Sequence, residues 1–488
     1  MNSYKKCGLA TLLLTVVLNV PPVAQAQTLD EAYTALHRKD YATAVILYKK
    51  LAEQGDAIAQ YNLGVLYHKG EVVPRDVEQA VYWYRKSAEL GYAPSQHNLA
   101  IVYELGIAGP KDEQQAIYWS RKAAEQGYAA GQNVLGMRYE IGAGLPKDMQ
   151  QALIWYRESA QQGYAKSQFK LGTIYYNGRG VPRDVEQAVN WLRKAAEQGN
   201  AEAQHNLSLL YDQGTGVQKE TEQAQYWSRK AAEQGNTSAQ HNLGWKYETG
   251  TGLPQDWQLA MSWYRKAAEQ GHAPSQYNLG LIYANVEGAT KDETQAVLWY
   301  RKAAEQGYAA AQSNLGLMYN EGKGVAKDDR QAVNWYRKAA EQGYATAQTN
   351  LGLMYVNGWG VPKDERQALG WFLKAAGQGQ VESQASLGTM YANGRGTPRN
   401  MQQAAHWFRK AAEQGHALAQ LAVGATYFKG DGVVMDEENA YFWFLLANTR
   451  GQPGAQHYIT LLEKKLSPEQ VSKIHDDVSV WKPGSAQK

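Results

Sequence analysis

The sequence predicts an all-α solenoid of antiparallel helix pairs with a 36-residue repeat. Three observations predict it. A glutamine recurs at Gln60, Gln96, Gln132, Gln168, Gln204, Gln240, Gln276, Gln312, Gln348, Gln384 and Gln420, each 36 residues after the last. A tryptophan follows 23 residues later in every copy, at Trp83, Trp119, Trp155, Trp191, Trp227, Trp263, Trp299, Trp335, Trp371, Trp407 and Trp443, and an alanine precedes each by three residues. The aromatic residues are skewed, with 33 Tyr and 15 Trp against 6 Phe, as expected of one short pattern copied many times. No insertion interrupts residues 57–452, so 488 residues make one quasi-linear array rather than three ordinary domains.

Each copy divides into two helices. Ala59, Leu63 and Tyr67 lie at i, i+4 and i+8, one face of a first helix. Ala80, Trp83 and Ser87 make the matching stripe on a second. In the copy opened by Ala203-Gln204-His205-Asn206-Leu207, Gly214-Thr215-Gly216 ends the first helix and residues 222–233 form the second. A residue leaving a helix often takes a positive φ, which glycine adopts most cheaply; Val286 is the one exception at that position. Pro74, Pro146, Pro182, Pro254, Pro362 and Pro398 then block helix continuation. Asp76, Asp148, Asp184, Asp256, Asp292, Asp328 and Asp364 are placed to cap the second helix. A second glycine, as at Gly91, Gly127, Gly163 and Gly199, closes it. The recurring tryptophans, from Trp83 to Trp335 and beyond, are expected to be the structural core side chains.

The ends differ. Residues 1–26 read as a secretory signal peptide: Lys5 and Lys6, an apolar run from Gly8 to Val20, then Ala24-Gln25-Ala26 as a cleavage site before Gln27. Cleavage would remove Cys7, the only cysteine, and lower the formal net charge of +3 by two. A thiol-free chain in an oxidising compartment must rely on packing. Residues 27–56 resemble an incomplete unit, with Leu47 in place of tryptophan, that covers the first repeat. Tyr441-Phe442-Trp443-Phe444-Leu445-Leu446 is apolar enough to need a cover, expected from residues 453–488: a helix over Ala455 to Lys465 and another opened by the capping box Ser467-Pro468-Glu469-Gln470. Trp481 should anchor the end, and Lys482 to Lys488 should be disordered.

Several functions are disfavoured. With 50 Lys+Arg against 47 Asp+Glu there is no electrostatic case for nucleic acid. Hydrophobic residues are 44% and mean hydropathy is -0.57, and beyond the leader no run approaches the ~18 apolar residues of a membrane span. The Arg-Lys pairs look basic, but Arg85 precedes Glu89 and Arg121 precedes Glu125 by four residues, as on a solvated, self-neutralised helix face. Ser167-Gln168-Phe169-Lys170 matches the Ser-x-x-Lys of penicillin-recognising enzymes, yet Ser167 stands where Ala59 and Ala203 stand, and no Lys-Thr-Gly exists. The Gly-x-Gly turns follow no strand and lack Gly-Lys-Ser/Thr. No His-x-x-x-His pair with a glutamate occurs, and Asp431, Asp436, Glu437 and Glu438 lack the alternating acids of a calcium loop. No enzyme, cofactor or metal site is expected.

The residues Ala311-Gln312-Ser313-Asn314-Leu315-Gly316, Tyr319, Gly322-Lys323-Gly324, Ala332, Trp335, Lys338-Ala339-Ala340 and Gly343 resemble the Sel-1-like repeat pattern, a helical-hairpin family related to tetratricopeptide repeats. The resemblance implies a right-handed superhelical solenoid and an adaptor that holds other proteins. It also implies action at the envelope or on host proteins for exported bacterial members. A cysteine-rich branch is linked to penicillin binding; those cysteines are missing here.

What varies between copies points to a site. Positions 1, 5 and 8 after each glutamine change freely. In tetratricopeptide-like arrays the corresponding face of the first helix lines the concave surface. The expected partner-binding groove comprises Tyr61, His97, Glu104, Phe169, Tyr176, His205, Asp212, His241, Trp245, Glu248 and Tyr277. Tyr61, Phe169, Tyr176 and Trp245 are expected as exposed anchors, and Glu104, Glu140, Asp212 and Glu248 as an acidic strip. The favoured reading is an exported, monomeric, non-enzymatic scaffold for a protein or peptide, periplasmic or secreted. An envelope enzyme or regulator acting on peptidoglycan, and a secreted factor binding a host protein, are the alternatives.

Overall fold

The computed structural model describes residues 23–285 and 291–484, so most of the expected leader, Val286 and residues 485–488 lie outside the described residues. Among the described residues there are twenty-six α-helices and no strand. The chain divides into two units, residues 1–240 and 241–488. The first contains α1 (Val23–His37), α2 (Tyr41–Glu53), α3 (Ala57–Lys69), α4 (Val77–Glu89), α5 (Ala93–Leu105), α6 (Glu113–Glu125), α7 (Ala129–Ile141), α8 (Met149–Gln161), α9 (Ala165–Asn177), α10 (Val185–Glu197), α11 (Ala201–Gln213) and α12 (Thr221–Glu233). Next come α13 (Thr237–Thr249), α14 (Trp257–Glu269), α15 (Ala273–Asn285), α16 (Glu293–Glu305), α17 (Ala309–Glu321), α18 (Asp329–Glu341) and α19 (Ala345–Asn357). The rest are α20 (Glu365–Gly377), α21 (Val381–Asn393), α22 (Met401–Glu413), α23 (Ala417–Lys429), α24 (Glu437–Thr449), α25 (Ala455–Leu462) and α26 (Pro468–Val480).

The turn chemistry follows the residue types. Gly214 ends α11 at φ 68, in the left-handed region. Asp184 accepts from the Gln187 N–H at 2.9 Å and caps α10. Ser467 and Gln470 form the capping box of α26. The segment expected to be an incomplete unit forms a full pair, α1 and α2, with α1 starting at Val23 inside the expected leader. Lys482 to Gly484 do not fit the expectation of disorder: the Gly484 N–H donates to the Glu413 carbonyl at 2.8 Å, and Trp481 packs edge-on to Trp443.

The core corrects the role given to the tryptophans. Trp83, Trp119, Trp155, Trp191, Trp227, Trp263 and Trp335 are half-buried, although Trp299 and Trp443 are buried. The buried aromatic is the next residue: Tyr84, Tyr156, Tyr264, Tyr300, Tyr336, Phe372 and Phe444. Each meets a glycine twenty residues earlier on the first helix of its own pair. A Cβ at Gly64 would come within 2.7 Å of the Tyr84 ring, and at Gly136 within 2.9 Å of Tyr156. Where the aromatic is replaced by Ser120 or Ser228, the glycine is replaced by Ala100 or Ser208. Most tryptophans lie at the cluster edge, and Trp191, Trp263, Trp299, Trp335, Trp371 and Trp407 each carry a lysine three residues on over the ring; Lys266 sits 3.9 Å from the Trp263 centroid. The following arginine is not the expected partner of a glutamate four residues on. Arg85 donates to the Tyr103 hydroxyl of the next repeat at 3.1 Å, while Arg409–Glu413 does take the i, i+4 form.

The repeated glutamine has a structural use. In the first unit Gln132 donates to the Ala124 carbonyl at 3.5 Å and accepts from Gln162 at 2.7 Å, thirty residues on. In the second, Gln312 donates to the Ala304 carbonyl at 3.0 Å and accepts from Gln342 at 2.7 Å. One side chain thus joins a second helix, the first helix after it, and the end of the following pair. Position 90 is Leu90, and the buried Oε1 of Gln60 has no hydrogen-bond donor. Position 450 is Arg450, and Gln420 is in the same state.

Two outcomes test this packing. Leu90→Gln exchanges an exposed leucine for the missing donor and should stabilise the array by about 0.5–1.5 kcal/mol in urea unfolding. Gly136→Ala should destabilise by about 1–3 kcal/mol through overpacking. In a Tyr156→Ser background the same change should reverse sign and gain up to about 1 kcal/mol from helix propensity.

Candidate functional site

At about 100° per residue, position 5 after the glutamine points about 140° from it, nearly opposite the buried leucine. Positions 1 and 8 lie to one flank of it, at about 100° and 80°, so the three span about 60° on the side away from that leucine. Helix geometry alone thus puts the three on one face, but the neighbouring pairs cover them unequally, and the expectation of one open face is corrected.

In the first unit, position 1 is a seam between successive pairs. Tyr61 is 7% exposed, against the rings of Tyr84 and Tyr92 at 6.1 and 5.4 Å. His97 is 2% exposed, with its ring 5.5 Å from that of Tyr128. Neither is an exposed anchor. No donor or acceptor meets either ring nitrogen of His97, and burial, then the Lys166 cation, pushes its pKa down to about 4. Phe169 and His205 are half-buried, and burial lowers the His205 pKa.

Position 8 carries the acids, but they are not a free strip. Glu104 pairs with the buried Arg138 at 2.9 Å. Glu140 is buried beside Lys170 at 3.3 Å and Arg179 at 3.1 Å, and accepts from the Tyr156 hydroxyl at 2.6 Å. Burial alone would raise its pKa; that hydroxyl and the two cations outweigh burial and hold it below the ordinary value. Asp212 is half-buried and also has a partner. Tyr176 is half-buried beneath the Arg183 guanidinium, 5.3 Å from its ring. Between α9 and α11 a pocket of about 250 Å³ is lined by Tyr176, Thr173, Asn206, Leu209 and Leu192 among others. Leu192 occupies the place of Tyr84 and Tyr156 and is the shorter side chain.

In the second unit Trp245 is 44% exposed, Leu317 39% and Leu353 37%, all at position 5. The flank residues are engaged. His241 and His272 both reach the Ser275 hydroxyl through Nδ1, at 2.9 and 2.8 Å. Burial and then His272 push the His241 pKa down to about 4. Glu248 accepts from the Tyr264 hydroxyl. Tyr277 is half-buried between Tyr300 and Tyr308, with centroids at 6.0 and 5.3 Å.

Ser167 is fully buried, within 2.7 Å of the Ser159 hydroxyl and 2.9 Å of Asn133, and Lys170 turns to Glu140. Among the described residues no three His, Cys, Asp or Glu gather as metal ligands, and no helix is long and apolar enough to cross a membrane. The buried Tyr84 series and the pocket beside Leu192 were missed in the sequence. The pairing of glycine with a large residue twenty positions on was the available signal.

These features define a helical-hairpin repeat protein, a fold class typical of protein–protein interaction scaffolds. The Sel1 repeat model matches residues 36–56, 57–92, 93–128, 129–164, 165–200, 201–236, 237–272, 273–308, 309–344, 345–380, 381–416 and 417–452. The chain belongs to the Sel1 repeat family. Proteins of this family are generally non-enzymatic scaffolds. The chain is similar to c5321, a protective antigen present in uropathogenic Escherichia coli strains, at 37% identity and TM-score 0.78, over 91% of this chain and 98% of that one. It is also similar to a Sel1 repeat protein from Oxalobacter formigenes, at 36% identity and TM-score 0.51, over 64% of this chain and 90% of that one. No curated protein matches.

The buried histidines give a pH dependence with a defined sign. A folded pKa of about 4 for His97 lies below the unfolded value of about 6.5, so the unfolded chain binds the extra proton first. Stability is full above about pH 6.5 and falls as pH drops towards 4, by up to about 3 kcal/mol for this residue. Urea unfolding between pH 7.5 and 4 should show the loss, and His97→Phe should remove this residue's share of it while His241 keeps its own.

Proposed function

We propose that the protein is an exported, monomeric scaffold that holds a segment of a partner protein along the position-5 side chains of its first helices. The observation that carries this reading is the row of exposed large apolar residues Trp245, Leu317 and Leu353. The repeated Gln, Gly, Trp, Tyr, Arg and Lys are already used in packing; the exposed apolar side chains are not. Isolated exposed leucines need no explanation, but a row repeated at one register is suited to a partner's apolar side chains. The pocket lined by Leu209 and Tyr176 supports the same reading in the first unit. Since Glu104 and Glu140 are paired with cations and Glu248 is held by a tyrosine hydroxyl, recognition on this face rests on apolar contact rather than on a free negative strip.

Residues 1–26 act as a cleaved leader in this reading, and α25 and α26 cover the apolar α24. The similarity to a protective antigen supports the reading of an exported chain.

Photo-crosslinking tests the proposal in cells. A benzophenone amino acid at Leu209, Trp245 or Leu353 should yield adducts with a distinct protein in the periplasmic or extracellular fraction. The same probe at Glu89 or Glu341 on second helices should not. Adducts only from Glu89 and Glu341, or adducts confined to the cytoplasm, would refute it.

A further inference from the structure

The first turn of the described chain breaks a rule kept by the repeat junctions after it. Arg38-Lys39-Asp40 joins α1 to α2 with the three-residue geometry that joins α2 to α3. In the first, the Lys39 N–H donates to Leu36 O at 3.1 Å and Asp40 N–H to Ala35 O at 2.9 Å. In the second, Gly55 N–H donates to Ala52 O at 3.1 Å and Asp56 N–H to Leu51 O at 3.0 Å. The middle residue is left-handed, and Gly55 takes φ 90 there. The later junctions also use glycine, from Gly91 to Gly415. Lys39 takes φ 64, and it is the one non-glycine residue with a positive φ among the described residues. A Cβ is penalised in that region, so a lysine held there marks a place where its side chain has a use.

Lys39 lines a pocket of about 370 Å³ between α1, α2 and α3. Tyr33, Tyr41, Tyr48 and Tyr61 line it too. Tyr48 and Tyr61 are 1% and 7% exposed, so little of either ring reaches the space, whereas Tyr41 is 40% exposed. Lys69 adds a second ammonium, His37 an imidazole and Glu71 a single acid. Neither Lys39 nor Lys69 enters an ion pair among the described residues.

We propose that this pocket binds an acidic peptide segment: a bulky apolar side chain enters between the tyrosines, and the flanking carboxylates meet Lys39 and Lys69. The proposal rests on the scaffold reading and names the chemistry of the partner. Charge complementarity selects carboxylates over cationic segments. The apolar lining selects a side chain over a bare polyanion.

Fluorescence anisotropy on the purified protein tests it with labelled Gly-Asp-Phe-Asp-Gly, Gly-Lys-Phe-Lys-Gly and Gly-Asp-Gly-Asp-Gly. The first should bind saturably and at least tenfold tighter than the other two. Lys39→Glu with Lys69→Glu should weaken it tenfold or more; Lys86→Glu with Lys122→Glu should change it less than twofold. Lys39→Gly should weaken binding about threefold yet raise the Tm by about 1–2 °C, since glycine relieves the left-handed strain. Three equal affinities, no saturable binding, an inert double reversal or a lowered Tm in Lys39→Gly overturns the proposal. Leu209→Ala and Trp245→Ala should leave pentapeptide binding intact. Loss of the position-5 adducts with pentapeptide binding preserved sinks the row of first-helix contacts alone, and the converse sinks the pocket alone.

Discussion

The close approach of a glycine on the first helix to a large side chain on the second sets the geometry of almost every pair. At 2.7 Å from the Tyr84 ring there is no room for a Cβ at Gly64, so the two helices come as near as backbone and ring allow. That spacing lets the repeated glutamine reach both a carbonyl of the preceding pair and the amide that ends its own pair. It also sets how closely the next pair covers the flank of the first helix. The tryptophan and its lysine seal the edge of this contact rather than create it, because most of the indoles stay half-buried.

The array itself was legible in the sequence because its signals are local. A left-handed glycine, an aspartate cap and an i, i+4, i+8 stripe each depend on a few neighbouring residues, and so does the capping box at Ser467. The buried aromatic was misassigned for the same reason. Tryptophan is invariant and conspicuous, while its successor changes among Tyr, Phe, Leu and Ser, and only the matched change at Gly64, Ala100 and Ser208 reveals its partner. The candidate site was less legible. Whether a flank residue such as Tyr61 or His97 is open depends on the distance to the next pair, which the periodicity of one helix does not contain. The acids looked free for a similar reason: Arg138, which neutralises Glu104, lies thirty-four residues away.

Coverage of the flanks changes the chemistry left for recognition. Glu104, Glu140 and Glu248 at position 8 are held by arginine, lysine or tyrosine, and removing a partner from such a group costs more than the pair contributes. These residues therefore maintain the frame. Position 5 is mostly apolar, and it varies in size from alanine to tryptophan. A stiff frame with apolar side chains at fixed spacing gives up little conformational entropy on binding, because the backbone is already ordered. Lys39 follows the opposite logic, since its turn accepts strain to keep a cation at a pocket edge.

The two serine copies show what the frame can tolerate. Ser120 and Ser228 forgo a buried ring, a loss of the order of 3–5 kcal/mol when it leaves a cavity. Their partners Ala100 and Ser208 refill part of the space from the other side, and the Ser120 hydroxyl satisfies itself on the Ala116 carbonyl at 2.7 Å. The contact survives with smaller groups, but each of these pairs buries less apolar surface than its neighbours. In a chain whose stability is a sum of repeat and nearest-neighbour terms, such pairs are the places where local opening costs least. Flexibility in this fold can therefore be placed by a two-residue substitution inside one repeat, without an insertion, a proline or any change to the 36-residue register that the neighbours need.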